Sequence, residues 1–521
     1  MRIRNSMKNM IYIYACTLLI VILNFVVRRI FVDVLVVDYL GYDGLFASIF
    51  SYLNLSEMGI ASIITYHMYA EIASENTLQI RKLLSIYKVI YRIVGAFVLV
   101  AGLIVSLFLP VILAKANIHD SWQFIYTIYF MQLVATLCTY FLAYRRILFV
   151  THQRIYVCTT VDTVINIVSV IIRMIILLKL RDYIAYLTVS IISNILSNLI
   201  ITYLSGRDYP EITRIRVTKD DLKALNLGHE IKNMMATKIA GTIYGASDDI
   251  IITTMLGVNV NGIVSNYRMI SSKLQEFIIS AFSSIQASIG NLVYDDESDR
   301  GIPFFRALDL AGFFLALVSA SGVMCVSQEF ILHIWLKKES LLLPYGFLIA
   351  LSLNLFIALL GNPMTYFRNS LGHFETDRNY MIAAAAVNVI LSIILGLTMG
   401  ITGVMIGTVA GHLFIFMGRC VVVHKYFLGT APTRYYMLTL LRFAMLGISV
   451  GVTMLLGELI RSHIGSPVLF FLVKGVLSVV ISVAVFLISS YGTDSFRILR
   501  EYARTVGHVI TDKFGRNAGK R

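Results

Sequence analysis

Apolar residues along this chain of 521 gather into runs of about 18 to 25, separated by shorter polar stretches. A run of that length wound as an α-helix crosses roughly 30 Å of hydrocarbon. Fourteen runs fall near 11–36, 44–70, 88–112, 121–143, 157–180, 182–204, 234–256, 262–290, 307–329, 344–367, 380–399, 401–423, 437–460 and 468–490. The pattern predicts an all-α membrane protein of about 14 transmembrane helices. The first run begins near Met10, is long enough to span and carries no small-residue cleavage site, so it reads as a span and not as a signal peptide.

The longest polar interval divides the chain. An N-terminal six-helix bundle is expected over 1–204, a cytoplasmic linker over 205–232 and a second six-helix bundle over 233–423. Two additional spans fill 424–490, and 491–521 form a basic tail. In the linker, Thr218 and Asp221 have capping-box spacing ahead of Leu222 and Leu225, which predicts a helix lying in the membrane interface. In the tail, Phe496, Leu499, Val506, Ile510 and Phe514 alternate with Arg and Lys; an interfacial helix and a solvated, frayed tail fit that pattern equally.

Composition supports the membrane reading: 58% of residues are hydrophobic and 14% charged, against about 25% charged in a soluble domain. The net charge of +14 would suggest nucleic acid in a soluble protein. Its distribution says otherwise. With the N-terminus inside, thirty Lys and Arg fall on the inner side, and the outer loops hold only Lys115, Lys179, Arg181, Lys337, Lys338 and Arg461. That bias fits the positive-inside rule, puts both termini in the cytoplasm and makes anionic lipid, not nucleic acid, the partner of the basic face. Cys16, Cys138, Cys158, Cys325 and Cys420 fall singly inside apolar runs without metal-ligand or disulfide spacing.

An internal repeat is visible. Asp33 stands seven residues before Leu40-Gly41, with Gly44 opening the next span and Glu57 following. Asp249 stands seven residues before Leu256-Gly257, with Gly262 opening the next span and Glu276 following. The copies are six spans apart, which predicts parallel, pseudo-symmetric halves.

Charges inside spans line cavities or pathways by default. Among the basic residues there, eight bear on the reading. Arg419, Arg442 and Lys474 are close enough to helix ends to snorkel and are expected to be structural. Arg28 and Arg29 lie deep in the first span. Arg29 can neutralise itself on Asp33 at i,i+4, whereas Arg28 has no acid at helical spacing and needs another partner. Lys273 can pair with Glu276. Arg268 shares a face with Ser271, Ser272 and Gln275, a polar stripe suited to a wet cavity. Arg173 interrupts the apolar run VIIRMII. Arginine suits phosphate because its planar fork donates to two oxygens at once. Arg28, Arg29, Arg173, Arg268 and Lys273 are thus candidates for an anion. Asp33, Glu57, Asp248, Asp249 and Glu276 are candidates for binding H⁺ or Na⁺ as a coupling ion. Asp162, near the inner end of its helix, reads as a helix-terminus or interfacial residue.

At these residues the sequence resembles a known family. DYLGYDGLFASIFSYLNLSEMGIASII and SDDIIITTMLGVNVNGIVSNYRMISS are similar to the matching segments of Wzx-type polysaccharide biosynthesis flippases. These belong to the MOP superfamily, with the MATE exporters and lipid II flippases. The resemblance implies two six-helix bundles, two extra C-terminal helices and alternating access. It also implies transport of a polyprenyl-diphosphate-linked oligosaccharide across the cytoplasmic membrane, with polysaccharide polymerase and glycosyltransferases as partners and no cofactor. Lipid II flippases carry arginines in their first and eighth helices, and Arg28 or Arg29 and Arg268 are similarly placed. A membrane polymerase or ligase would need a large outer loop with paired acids; the longest here, ILHIWLKKESLLLP, is short and acid-poor. No GxxxxGK[ST] loop points to an ATPase. A MATE-like cation-coupled drug exporter and a lipid II-type flippase stay open as alternatives.

Overall fold

The computed structural model describes residues 2–54, 60–114, 116, 118–213, 215, 227–283, 289, 298–371 and 374–504. Among them there is no strand; the architecture is all-helical. In chain order the long helices are α1 (Arg2–Val34), α2 (Asp38–Leu53), α3 (Ile60–Ala73), α4 (Thr77–Ile112), α5 (Trp122–Leu142), α6 (Arg146–Thr151), α7 (Ile155–Lys179) and α8 (Tyr183–Asp208). Then come α9 (Leu227–Leu256), α10 (Val258–Ser283), α11 (Ser298–Glu329), α12 (Tyr345–Leu360), α13 (Asn362–Leu371), α14 (Phe374–Met399), α15 (Ile401–Val423), α16 (Thr433–Arg461) and α17 (Pro467–Ser490).

Ten helices among the described residues are long and apolar enough to cross a membrane, so this is a multi-pass membrane protein. The other four expected spans are not among the ten. That at 44–70 is split between α2 and α3, and that at 262–290 is too polar, with Asn266, Arg268, Lys273 and Gln275 along α10. Those at 11–36 and 234–256 extend beyond the described side chains. Helix starts follow local chemistry. Asn76 caps α4 by accepting from the Gln79 backbone N–H at 3.3 Å. Asp182 accepts from Ile184 N–H at 2.8 Å to cap α8, and Ser466 with Pro467 opens α17.

Packing divides the chain into two compact units, Met1–Ser265 and Asn266–Arg521. In the first, α2 packs on α9 and on the first turns of α10. A Cβ on Gly41 would lie 2.0 Å from the Val258 carbonyl oxygen, and one on Gly262 would lie 2.3 Å from that of Val37. Asn259 donates to Asp38 between these two contacts, at 2.6 Å. The contacts are reciprocal: 37 maps to 258, 38 to 259 and 41 to 262, always 221 positions on. Such mutual contacts mark a local two-fold axis. The same offset carries Arg28 onto Asp249 and Gly44 onto Ser265. Arg28 contacts Ser265, and the Asp249 carboxylate lies 3.7 Å from a Cβ at Gly44. The sequence pairing of Asp33 with Asp249 is therefore five residues out, more than one turn of helix. A Leu-Gly pair recurring in apolar sequence set the wrong register; the helix–helix contact sets the right one.

In the second unit, α14 and α15 form a close hairpin. Cβ atoms at Gly403, Gly407 and Gly418 would lie 2.0 Å from Leu395 O, 2.4 Å from Ser392 N and 2.4 Å from Tyr380 Cβ. Small residues at such spacing let helices in lipid approach to backbone contact. The 494–504 segment is helical, with Phe496 against Phe486 and Tyr491, and Tyr502 against Phe304. Thr218, Asp221, Leu222, Leu225, Val506, Ile510 and Phe514 lie outside the described residues.

Candidate functional site

The first unit gathers charge around α1, α2, α7 and α8. Arg28, half-buried, reaches Ser265 Oγ with Nη1 at 3.2 Å. No acid of its own helix stands at helical spacing from Arg28; the nearby acid is Asp43 of α2. The Asp43 carboxylate accepts from Gln132 Nε2 at 2.6 Å and from the Tyr183 hydroxyl. Tyr183 and its neighbour one turn on, Tyr186, stand edge-on to Phe31 of α1. Arg173 closes the group. Its Nη1 lies 3.4 Å from Ser190 Oγ and 3.5 Å from Tyr186 Oη, and its guanidinium sits over the Tyr186 ring, 5.4 Å from the centroid. Its Nε is buried without a hydrogen-bond partner among the described residues, which costs about 1–3 kcal/mol if nothing fills the gap.

The structure therefore brings Arg28 and Arg173 into one cluster, and the other candidates elsewhere. Arg29 Nε lies 3.8 Å from Asp33, both half-exposed. Asp249 accepts from Ser48 Oγ at 2.8 Å, and its neighbour Asp248 is buried. In the second unit, Lys273 pairs with exposed Glu276 at 2.7 Å, and half-buried Arg268 has Ser271 bonded to its carbonyl oxygen at 3.2 Å. Glu57 lies outside the described residues.

Three basic residues expected to snorkel do not. Arg442 is buried, with Nη2 at 2.5 Å and Nη1 at 3.2 Å from the two oxygens of Asp309. Tyr435 donates to the same carboxylate at 2.5 Å. Lys474 lies 3.5 Å from Glu329, whose other oxygen is 3.3 Å from His333 Nε2. Arg419 donates to Thr365 Oγ1 at 2.8 Å. A head group that finds an acceptor inside the bundle has no reason to reach for water. Asp162 is likewise no free terminus residue: Arg146 grips it with two bonds, at 2.7 and 2.8 Å, and Ser197 donates to it. Sequence reasoning missed Asp43 because it stands one residue before the expected span at 44. It missed the partners of Arg442 and Lys474 because they are more than 130 positions away.

No protein-family model matches the chain, and no curated protein matches it. Solved structures do. The chain is similar to the lipid II flippase MurJ in an inward closed conformation, with a TM-score of 0.69 and 15% identity over 92% of this chain and 98% of that one. It is similar to an inward-facing multidrug resistance MATE family transporter of the MOP superfamily, with a TM-score of 0.62 and 14% identity over 78% and 94%. An outward-facing MATE family transporter gives a TM-score of 0.54 and 15% identity over 79% and 93%. The chain has the fold of these transporters. At such identities the likeness carries the fold and no residue's role, so the cluster stands on its own geometry. Within it stand two arginines and one acid.

Proposed function

We propose that the protein is a flippase that moves a polyprenyl-diphosphate-linked oligosaccharide across the cytoplasmic membrane by alternating access. The observation that carries the reading is the Arg28–Arg173 cluster: Arg28 donates to the Ser265 hydroxyl and Arg173 to those of Ser190 and Tyr186, the nearby Asp43 is taken up by Tyr183 and Gln132, and Arg173 Nε is buried without a hydrogen-bond partner among the described residues. A diphosphate supplies both the charge and the paired acceptor oxygens that such donors fit. The lipid II flippase fold, the two helices α16 and α17 beyond the repeated bundles, and the Wzx-like segments around Gly41 and Gly262 support a lipid-linked substrate. A net-positive site disfavours the alternative, export of cationic drugs. Transport, not catalysis, is the activity proposed. H⁺ or Na⁺ is the coupling ion in this reading, with Asp248 and Asp249 as candidates, and polysaccharide polymerase and glycosyltransferases act before and after it.

The test is transfer of a fluorescent polyprenyl-diphosphate-linked sugar in proteoliposomes. Arg28→Ala/Arg173→Ala should slow transfer at least about tenfold, the equivalent of one lost charge-assisted contact. Arg→Lys should fail nearly as badly, because an ammonium cannot bridge two oxygens. Full transfer by the double alanine variant overturns the reading, and efflux of a cationic dye by wild-type protein that ignores the lipid would put the drug exporter in its place. For orientation, Ser462→Cys should react with an impermeant thiol reagent in intact cells and Ser74→Cys should not.

A further inference from the structure

Helices α7 and α8 are antiparallel neighbours, and each turns a polar stripe toward the other. Along α7, Asp162, Asn166, Ser169 and Arg173 recur at steps of four, three and four, which is one face of a helix. Opposite them on α8 stand Ser190, Ser193, Asn194 and Ser197. Together they line a slot of about 240 Å³. Eleven residues separate Asp162 from Arg173, roughly 16 Å of helix and about half the hydrocarbon thickness. Polar side chains at that depth are unfavourable unless water or a ligand meets them.

The chemistry of the slot selects among ligands. Its one carboxylate, Asp162, is already neutralised by Arg146 and Ser197, so a cation has nothing to bind. Ile165 is the one apolar side chain among its nine lining residues, too little for an acyl chain to pack on. Asn166 has no hydrogen-bond partner among the described residues. Asn194 has its side-chain oxygen occupied by Asn198 at 3.0 Å, which leaves its NH₂ to donate. Groups that both donate and accept, in a space the size of one ring, match the hydroxyls of a sugar. Arg173 belongs to the slot and to the arginine cluster alike, so the two are continuous.

We propose that this slot is a subsite for one sugar ring of the carried glycan, with Asn166 and Asn194 hydrogen-bonding its hydroxyls while the diphosphate lies toward Arg173 and Arg28. The proposal rests on the flippase reading and deepens it. It is tested on the full-length protein in nanodiscs, by binding of two fluorescent probes: a polyprenyl diphosphate bearing one N-acetylhexosamine and the same carrier without sugar. Wild-type protein should bind the sugar-bearing probe about tenfold more tightly, the worth of two hydrogen bonds. Asn166→Leu/Asn194→Leu should abolish that preference and leave the bare carrier's affinity unchanged; both changes make a membrane helix more apolar, and Asn198 keeps the Asn194 backbone carbonyl at 3.0 Å, so the melting temperature should change little. Arg28→Ala should weaken both probes equally. A preference that survives the double leucine variant, or is absent from wild type, overturns the subsite and leaves the flippase reading standing. Wild-type protein that binds neither probe overturns the flippase reading itself. Independently of carrier binding, Asn194→Cys should react with a small charged thiol reagent; an unreactive cysteine there means a dry slot and overturns the proposal too.

Discussion

Two sites, one in each unit, treat buried charge in opposite ways. At Arg442 and Lys474 of the second unit, cations and acids close one on another. Arg442 of α16 is held by Asp309, about a third of the way along α11, and Lys474 of α17 by Glu329 at its last residue. Between these two acids, Ser321 meets Ser449 and Ser478, and Ser449 meets Ser482. Polar contacts at three levels thus fasten both of the last helices to α11. In the first unit, Arg28 and Arg173 end on hydroxyls, the nearby Asp43 is taken up by Tyr183 and Gln132, and the Arg173 Nε–H is left over. Closed pairs hold helices together; an excess of one sign, with donors still unsatisfied, is what a ligand of the other sign can use. The contrast separates structural from functional charge better than depth in a span does, since Arg442 is more deeply buried than Arg28.

The sharpest way to break this comparison is to open a closed pair. Asp309→Ala strands Arg442 in the bundle and should destabilise the protein by about 3–5 kcal/mol, visible as loss of folded protein in a detergent melting assay. Asp309→Leu/Arg442→Leu should regain most of it, because replacing both partners removes the uncompensated charge. A single variant as stable as wild type would show that the pair fastens nothing.

Arg28→Ala should do the reverse. It removes charge from a region that has too much, so melting should shift little while transfer of the lipid-linked probe falls about tenfold or more. If melting collapses as it does for Asp309→Ala, the two sites are not different in kind.

Most of the architecture was legible in the sequence because lipid demands it. Spans expected at 401–423 and 468–490 are Ile401–Val423 and Pro467–Ser490; apolar runs bounded by Gly400 and Pro467 leave little choice. What the sequence hid was three-dimensional partnership. Asp43 fell one residue outside a span, and Asp309 and Glu329 sat at the ends of one, so their tie to distant cations could not be read from helical spacing. The stripe from Asp162 to Arg173 was legible, four residues at helical intervals, but escapes a reading that weighs Arg173 only against its apolar neighbours. The repeat was legible as duplication and not as register, because register lives in the contact of Gly41 with Val258 and of Gly262 with Val37.

A smaller effect is expected at the other closed pair. Lys474→Met leaves Glu329 with His333, 3.3 Å away, so the acid keeps a hydrogen-bond partner. Destabilisation should be about 1–3 kcal/mol, below that of Asp309→Ala. An equal loss in the two variants would mean that His333 contributes nothing to Glu329.

The smallest effect is expected at Arg29, and it tests the comparison within a single turn of α1. Arg28 and Arg29 are adjacent, but their side chains leave the helix about 100° apart. Arg28 faces Ser265 and the Asp43 cluster. Arg29 faces Asp33 across 3.8 Å, with 40% and 45% of the two side chains exposed. A pair so open contributes about 0–1 kcal/mol, and its charges already cancel. Arg29→Gln should therefore leave probe transfer within about twofold of wild type and melting nearly unchanged, where Arg28→Gln slows transfer about tenfold. Transfer lost equally from both variants would mean that charge anywhere on this stretch of α1 suffices, and that the nearby acid and the unsatisfied donor do not mark the site.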